Sequence, residues 1–169
     1  MELLITPDEV KRLGRPIGNV DESKIRAFIK EAEHLSVKPV IGNELYLKLL
    51  EKGDIEEDYK TLLNGGSYTD SSGNVFSFMG LRVAISYYVY AQNVMSGDFE
   101  STRYGMVFKD SDYSTRISSK ERSDCYNNAL EVANAYLKDC LQFCREKGLV
   151  KRASLKNAKT GSIIIRKIG

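Results

Sequence analysis

A chain of 169 residues with 42% hydrophobic content is long enough for one domain with a real core, and its formal net charge of +2 excludes a protein whose whole surface is an electrostatic sleeve for nucleic acid. Three cysteines, an odd number, fit reduced thiols and a cytoplasmic origin. No stretch approaches the ~18 apolar residues of a membrane span, and Met1–Ile5 is short and carries an acid where a signal peptide is basic, so neither a membrane segment nor a targeting segment is expected.

The chain opens with a helix start: Thr6 as N-cap, Pro7 in the first position and Glu9 closing a capping box. That helix stops by Gly14, and residues 15–19 form a loop. The next stretch, Asp21 to Leu50, reads as two helices joined by a tight corner. Asp21 is a natural N-cap. Ile25, Phe28, Ile29, Ala32 and Leu35 recur at helical spacing as one apolar stripe. Lys38-Pro39 is expected to end this helix, because the residue before a proline is pushed out of the helical region. A second helix begins after Gly42 and buries Leu45, Tyr46, Leu49 and Leu50; Lys52-Gly53 ends it. Asp54 caps a third helix carrying Ile55, Tyr59, Leu62 and Leu63, and Asn64-Gly65-Gly66 breaks it.

Residues 68–78, YTDSSGNVFSF, place strand-forming ends around an Asp-Ser-Ser-Gly-Asn tip and predict a hairpin. A phosphate loop over 64–73 is rejected, because no Gly-Lys-Ser/Thr follows and the strand-then-helix context is missing. Met79 to Met95 is the most hydrophobic helix. Leu81, Ala84, Ile85, Tyr88, Ala91 and Met95 form one face, Tyr87, Val89, Tyr90 and Val94 cover much of the rest, and only Arg82, Ser86 and Asn93 leave a polar strip, so the helix is expected to be buried. Its tyrosines suit core packing better than a stacking platform for bases. Residues 100–118 are polar, with Tyr104–Phe108 the one strand-like piece, and a connection this long is usually functional or disordered.

Ser118 and Glu121 form a second capping box and open the longest helix, which ends near Gly148. Its stripe is Tyr126, Ala129, Val132, Ala133, Tyr136, Leu137, Cys140, Phe143 and Cys144, too mixed in size for a coiled-coil seam. Residues 149–169 hold six basic residues and no acid, a +6 tail on a body of −4: either an arm that meets an acidic surface or a solvated tail. It ends in the β-branched run Gly161–Ile168, which needs a strand partner, from the 68–78 hairpin, from Tyr104–Phe108 or from a neighbouring subunit. The expected fold is mainly α: a small bundle of about five helices with a β-hairpin and a short C-terminal strand, divided into a helical domain, 1–148, and a basic tail, 149–169.

Chemistry-bearing patterns are sparse. His34, the single histidine, is expected on the exposed side of its helix with no Ser, Cys or Asp partner set. Glu31, Glu33, Glu56, Glu57 and Asp58 read as solvated helix faces and cap residues rather than a paired-carboxylate site. Cys125, Cys140 and Cys144 read as small core residues, since a zinc site needs more ligands nearby. No catalytic residue, metal or cofactor is expected, and an enzyme is not expected.

The run Lys38-Pro39-Val40-Ile41-Gly42-Asn43-Glu44-Leu45-Tyr46-Leu47-Lys48-Leu49-Leu50 resembles the Pro-x-(Leu/Ile)-Gly-x-x-Leu-Tyr-x-x-Leu-Leu signature of head–tail connector (neck adaptor) proteins of tailed phages and prophages, especially those of Bacteroidetes prophages. The similarity continues through Tyr59–Leu63, Phe78–Leu81, Tyr90-Ala91 and Arg103–Val107, and rests on packing and turn residues. It implies a structural protein that assembles as a ring, usually twelvefold, beneath the portal and completes the neck during DNA packaging and virion assembly. The implied partners are the portal protein, other neck and tail proteins and further copies of the chain, and the implied locations are the host cytoplasm during assembly and then the virion neck. Contact with non-specific DNA is compatible with it, and no membrane is implied. On that resemblance the interface residues would be Arg103, Tyr104, Lys109 and Arg116 in the long connection, a solvated loop explaining these equally well, and Lys151, Arg152, Ile163, Ile164 and Ile165 in the tail. The alternative is a DNA-binding regulator, with Asp21–Leu50 as a helix-turn-helix. Its second helix offers Asn43, Glu44 and Lys48 but no arginine for base edges.

Overall fold

The computed structural model describes residues 2–18, 20–96, 99–102, 105–108 and 118–150. Helix α1 (Pro7–Leu13) starts where the first capping box places it: Thr6 accepts from the Glu9 amide and Glu9 reaches back to the Thr6 amide. Helix α2 (Glu22–Glu31) is capped by Asp21, whose carboxylate accepts from the Ser23 amide at 2.7 Å. It does not end at Lys38-Pro39. It passes through a wide π turn (Ala32–Val37) into α3 (Lys38–Ile41), with Lys38 itself helical and its N–H donating five residues back to the Glu33 carbonyl. The wide turn opens the room that the Pro39 ring lacks in a regular helix, where it would strike a carbonyl four residues earlier.

The extra residue in that turn also changes which side chains face inward. One residue inserted into the helical repeat rotates everything after it by roughly 100°. Ile25, Phe28, Ile29 and Ala32 are buried as expected, but the stripe then continues through Glu33, Val37 and Ile41. Leu35, expected in the stripe, is 74% exposed, and Glu33, expected in solvent, is 0% exposed.

The break comes at Gly42 (φ 88°), which closes α3 and directly precedes α4 (Asn43–Lys52). There Leu45, Tyr46 and Leu49 are buried and Leu50 packs at the edge of the core. Helix α5 (Glu57–Asn64) buries Tyr59, Leu62 and Leu63. It begins later than expected: Asp54 is not its cap, and Ile55 is 79% exposed ahead of it.

Strands β1 (Gly66–Thr69) and β2 (Val75–Phe78) form the predicted hairpin, pairing Tyr68 with Phe76 and Gly66 with Phe78. Asp70 organises its tip by accepting from the amides of Ser72 and Asn74. Helix α6 (Leu81–Ser96) follows as the axis of the fold: α1, α2, the π turn and α5 all pack on it, as does α7 (Ser119–Glu146). It is buried along its first eleven residues except where Arg82, Tyr87 and Tyr90 reach out, which accounts for its apolar character on nearly every side. Between α6 and α7 lie β3 (Phe99–Thr102) and β4 (Gly105–Phe108), an antiparallel pair separate from β1–β2. Only the second of these strands carried a sequence signal.

Helix α7 opens on the Ser118–Glu121 capping box and turns Ala129, Ala133, Leu137, Cys140, Phe143 and Cys144 inward. It closes with Gly148 donating to the Arg145 carbonyl and Leu149 to the Cys144 carbonyl, a Schellman arrangement. Leu149 and Val150 still pack on the core. Removing the Ser118 hydroxyl with Ser118→Ala is expected to cost about 1 kcal/mol, read as a shift of the urea midpoint with an unchanged slope.

The protein is thus mainly helical. Among the described residues it has six helices, taking α2 to α3 as one, around a single core. The anticipated C-terminal strand lies outside the described residues.

Candidate functional site

The most unusual side chain is Glu33. The π turn drives it inward, where both carboxylate oxygens are used: one accepts from the Leu4 amide at 2.8 Å and the other from the Tyr46 hydroxyl at 2.8 Å. Burial pushes its carboxyl above the usual range, while hydrogen bonds from Tyr46 and from the amides of Leu4 and Ile5 pull the other way without cancelling it. Burial also raises the Tyr46 phenol, and its hydrogen bond to Glu33 raises it further. The His34 ring stands edge-on to Tyr46 at 5.6 Å and Lys38 Nζ lies 5.3 Å from the ring centre. His34 is therefore half-buried against Tyr46 rather than free in solvent.

The peptide that Glu33 holds is gripped at its other end too. Arg82 donates to the Leu4 carbonyl at 2.9 Å and to Asn64 Oδ1 at 2.8 Å, and it pairs with Asp54 at 3.3 Å and Glu9 at 3.4 Å. One guanidinium on α6 thereby ties together the N-terminal segment, α1, the α4–α5 turn and the end of α5. With Leu4 and Ile5 buried, residues 2–6 act as a strap fastened by a carboxylate and a guanidinium. Both side chains are engaged by internal donors and acceptors, which anchors the strap. The sequence held one sign of it: Val37 and Ile41 are spaced by four from Glu33 and by no such interval from Leu35.

A second charged residue is used in the same way. Arg15 lies 5.5 Å from the ring centres of both Tyr87 and Tyr90 and donates to Asn128 Oδ1 at 2.6 Å, joining the loop after α1 to α6 and α7. The α6 tyrosines thus serve packing in this chain, with Tyr88 buried and bonded to Asn134 at 2.6 Å.

The exposed faces are uneven. In the β1–β2 hairpin, Tyr68, Phe76 and Phe78 share the side turned to α7. Phe143 stacks on Phe78 at 4.9 Å and meets Tyr68 edge-on at 5.3 Å. Val75 and Met79 are 74% and 53% exposed, and Phe76 is only partly covered. Asp70, Asp139 and Glu146 surround Tyr68 closely enough that, after burial, their charges raise its phenol further.

Every interface residue named from the sequence, Arg103, Tyr104, Lys109, Arg116, Lys151, Arg152, Ile163, Ile164 and Ile165, lies outside the described residues. The described strands β3 and β4 flank residues 103 and 104. Among the described residues no group of three or more His, Cys, Asp or Glu is placed to hold a metal ion, and no helix is long and apolar enough to cross a membrane. Cys140 and Cys144 are buried as expected, but Cys125 is exposed. Burial lifts the Cys140 thiol well above its ordinary value and the Cys144 thiol to about 12. A maleimide at neutral pH should therefore label Cys125 alone in the native protein and the two others only after unfolding, as peptide mass mapping would show.

Residues 37–148, about two thirds of the chain, match the model of a family described as a family of unknown function (DUF6712). The chain belongs to this family. The matched region begins inside the π turn and ends at the close of α7, so it contains α3 to α7 and both hairpins but not α1 or the strap. No curated protein and no solved structure gives a match.

Proposed function

We propose that this DUF6712 protein is a structural protein of a tailed phage or prophage, a head–tail connector that assembles as a ring beneath the portal. The observation that carries the proposal is the 38–50 run. Most residues it shares with the connector signature pack or turn the chain: Gly42 makes the corner, and Ile41, Leu45, Tyr46 and Leu49 are buried. The signature therefore describes how two helices are joined, a property that a scaffold of packed subunits needs and that no reaction requires. The β3–β4 hairpin between α6 and α7 would supply contacts to neighbouring copies or to the portal, and the basic tail would supply others. The mechanism is assembly on a template ring, not catalysis.

Sedimentation with a purified portal ring from the phage or prophage that carries the gene tests the reading. Co-migration of many copies per ring is expected, together with little self-association at low concentration in the absence of portal. A chain that neither binds the ring nor oligomerises beside it refutes the proposal. The regulator alternative is weaker on the geometry: the corner is a single glycine, and Lys48, the cation that the second helix would offer to DNA, is paired with Glu44 at 2.9 Å. A specific shift of one duplex sequence at physiological salt would restore it.

A further inference from the structure

Among the described residues the β1–β2 hairpin leaves one edge of β2 unpaired, and α7 ends beside it. Among the described residues β2 pairs only with β1, which leaves the backbone groups on its outer edge without a ladder. The large exposed apolar side chains of the hairpin, Val75, Phe76 and Met79, are all on β2 or directly after it, while β1 exposes Ser67 and Thr69. A short two-stranded ribbon is marginal by itself, and its aromatic side already rests on α7 through Phe143.

The last turns of α7 run under this ribbon. Glu146 accepts from the Ser71 amide at the hairpin tip, at 3.4 Å, and Val150, 8% exposed, is held in the core just after the helix. Beyond it lie residues 151–161 and then Ser162-Ile163-Ile164-Ile165-Arg166-Lys167-Ile168. Those eleven connecting residues can reach up to about 36 Å, more than enough to return to a hairpin already in contact with the helix they leave. The charges agree as well: Arg166 and Lys167 would arrive beside Asp70, Asp139 and Glu146.

We propose that residues 162–168 of the same chain add as a third strand along the outer edge of β2, with isoleucines extending the aromatic side over α7. A tether this short gives the chain's own segment an effective concentration in the millimolar range, which favours it over the segment of a second copy. This inference does not rest on the connector reading, and it takes Ile163, Ile164 and Ile165 out of the partner contacts that reading would give the tail.

Amide hydrogen exchange read by mass spectrometry tests it, comparing the full chain with a variant carrying Ile163→Asp, Ile164→Asp and Ile165→Asp. Helices α6 and α7 should keep their protection in both proteins. The amides of Val75–Phe78 are expected to exchange at least tenfold faster in the variant, and light scattering should give a monomer for both. Equal exchange of β2 in the two proteins overturns the proposal. Protection that appears only with a tail-dependent oligomer also overturns it, and transfers the edge to the tail of a neighbouring copy.

Discussion

Gly80→Ala should be among the most damaging single substitutions in this protein, lowering stability by about 4 kcal/mol. Gly80 links the hairpin to α6 with φ +89°, a conformation that a β-carbon resists. It also lies back to back with the chain that leaves α5. A β-carbon there would come within 2.5 Å of the Asn64 carbonyl carbon and 2.6 Å of the Leu63 carbonyl oxygen. Those are backbone atoms held by a helix end, so no side chain can rotate away to make room. Gly73 supplies the control. It has nearly the same angle, φ +88°, at the hairpin tip, but nothing lies within 4 Å of its added β-carbon. Gly73→Ala should therefore cost only the conformational penalty, about 1 kcal/mol. Urea unfolding of both variants separates angle from contact. Equal losses would show that the close approach of the two segments contributes nothing.

Glu33→Leu should cost about 3 kcal/mol, because it strands the Tyr46 hydroxyl and the amides of Leu4 and Ile5 without an acceptor in the core. Glu33→Gln should be tolerated. Its carbonyl oxygen can still accept from the Leu4 amide, and its NH2 group can donate to the Tyr46 oxygen, since a phenol accepts as well as donates. The two proteins should then differ in their response to pH. The Glu33 carboxyl is raised in the native state above its ordinary value of 4.5, so the folded protein holds that proton more tightly than the unfolded chain. Its contribution is fully present below pH 4.5 and is lost as the pH rises through the native value. Glu9, Asp21, Asp70 and Glu121 are all shifted down and act in the opposite sense, losing stability as the pH falls. They are common to both proteins, so the difference between wild type and Glu33→Gln isolates Glu33. Thermal unfolding at pH 4 and pH 8 should show wild type losing ground to Glu33→Gln at the higher pH. A constant difference would mean that the carboxyl does not titrate differently in the fold.

What can be read from the amino-acid sequence alone here is what neighbouring residues decide among themselves. Thr6–Glu9, Asp21–Ser23 and Ser118–Glu121 are bonds across two or three positions, and all three caps form where the residue types call for them. The stripes of α4 and α7, the all-round apolar α6 and the Asp70–Asn74 hairpin tip are equally local, and each is present. The anchor was not legible, because its partners are remote. Glu33 meets an amide 29 residues before it and a hydroxyl 13 residues after it, and Arg82 reaches Leu4 across 78 positions. A glutamate on a helix, like Glu33, reads as solvated unless its donors are already known to be inside. The π turn follows the same logic: by its local preference the residue before Pro39 leaves the helix, yet here the helix continues, with a wide turn that keeps Val37 and Ile41 in the core at the cost of exposing Leu35. Local hydrogen bonding set the elements and their ends. The burial of a charge, and the turn that carries it inward, were decided only when the N-terminal strap, α4 and α6 came together around it.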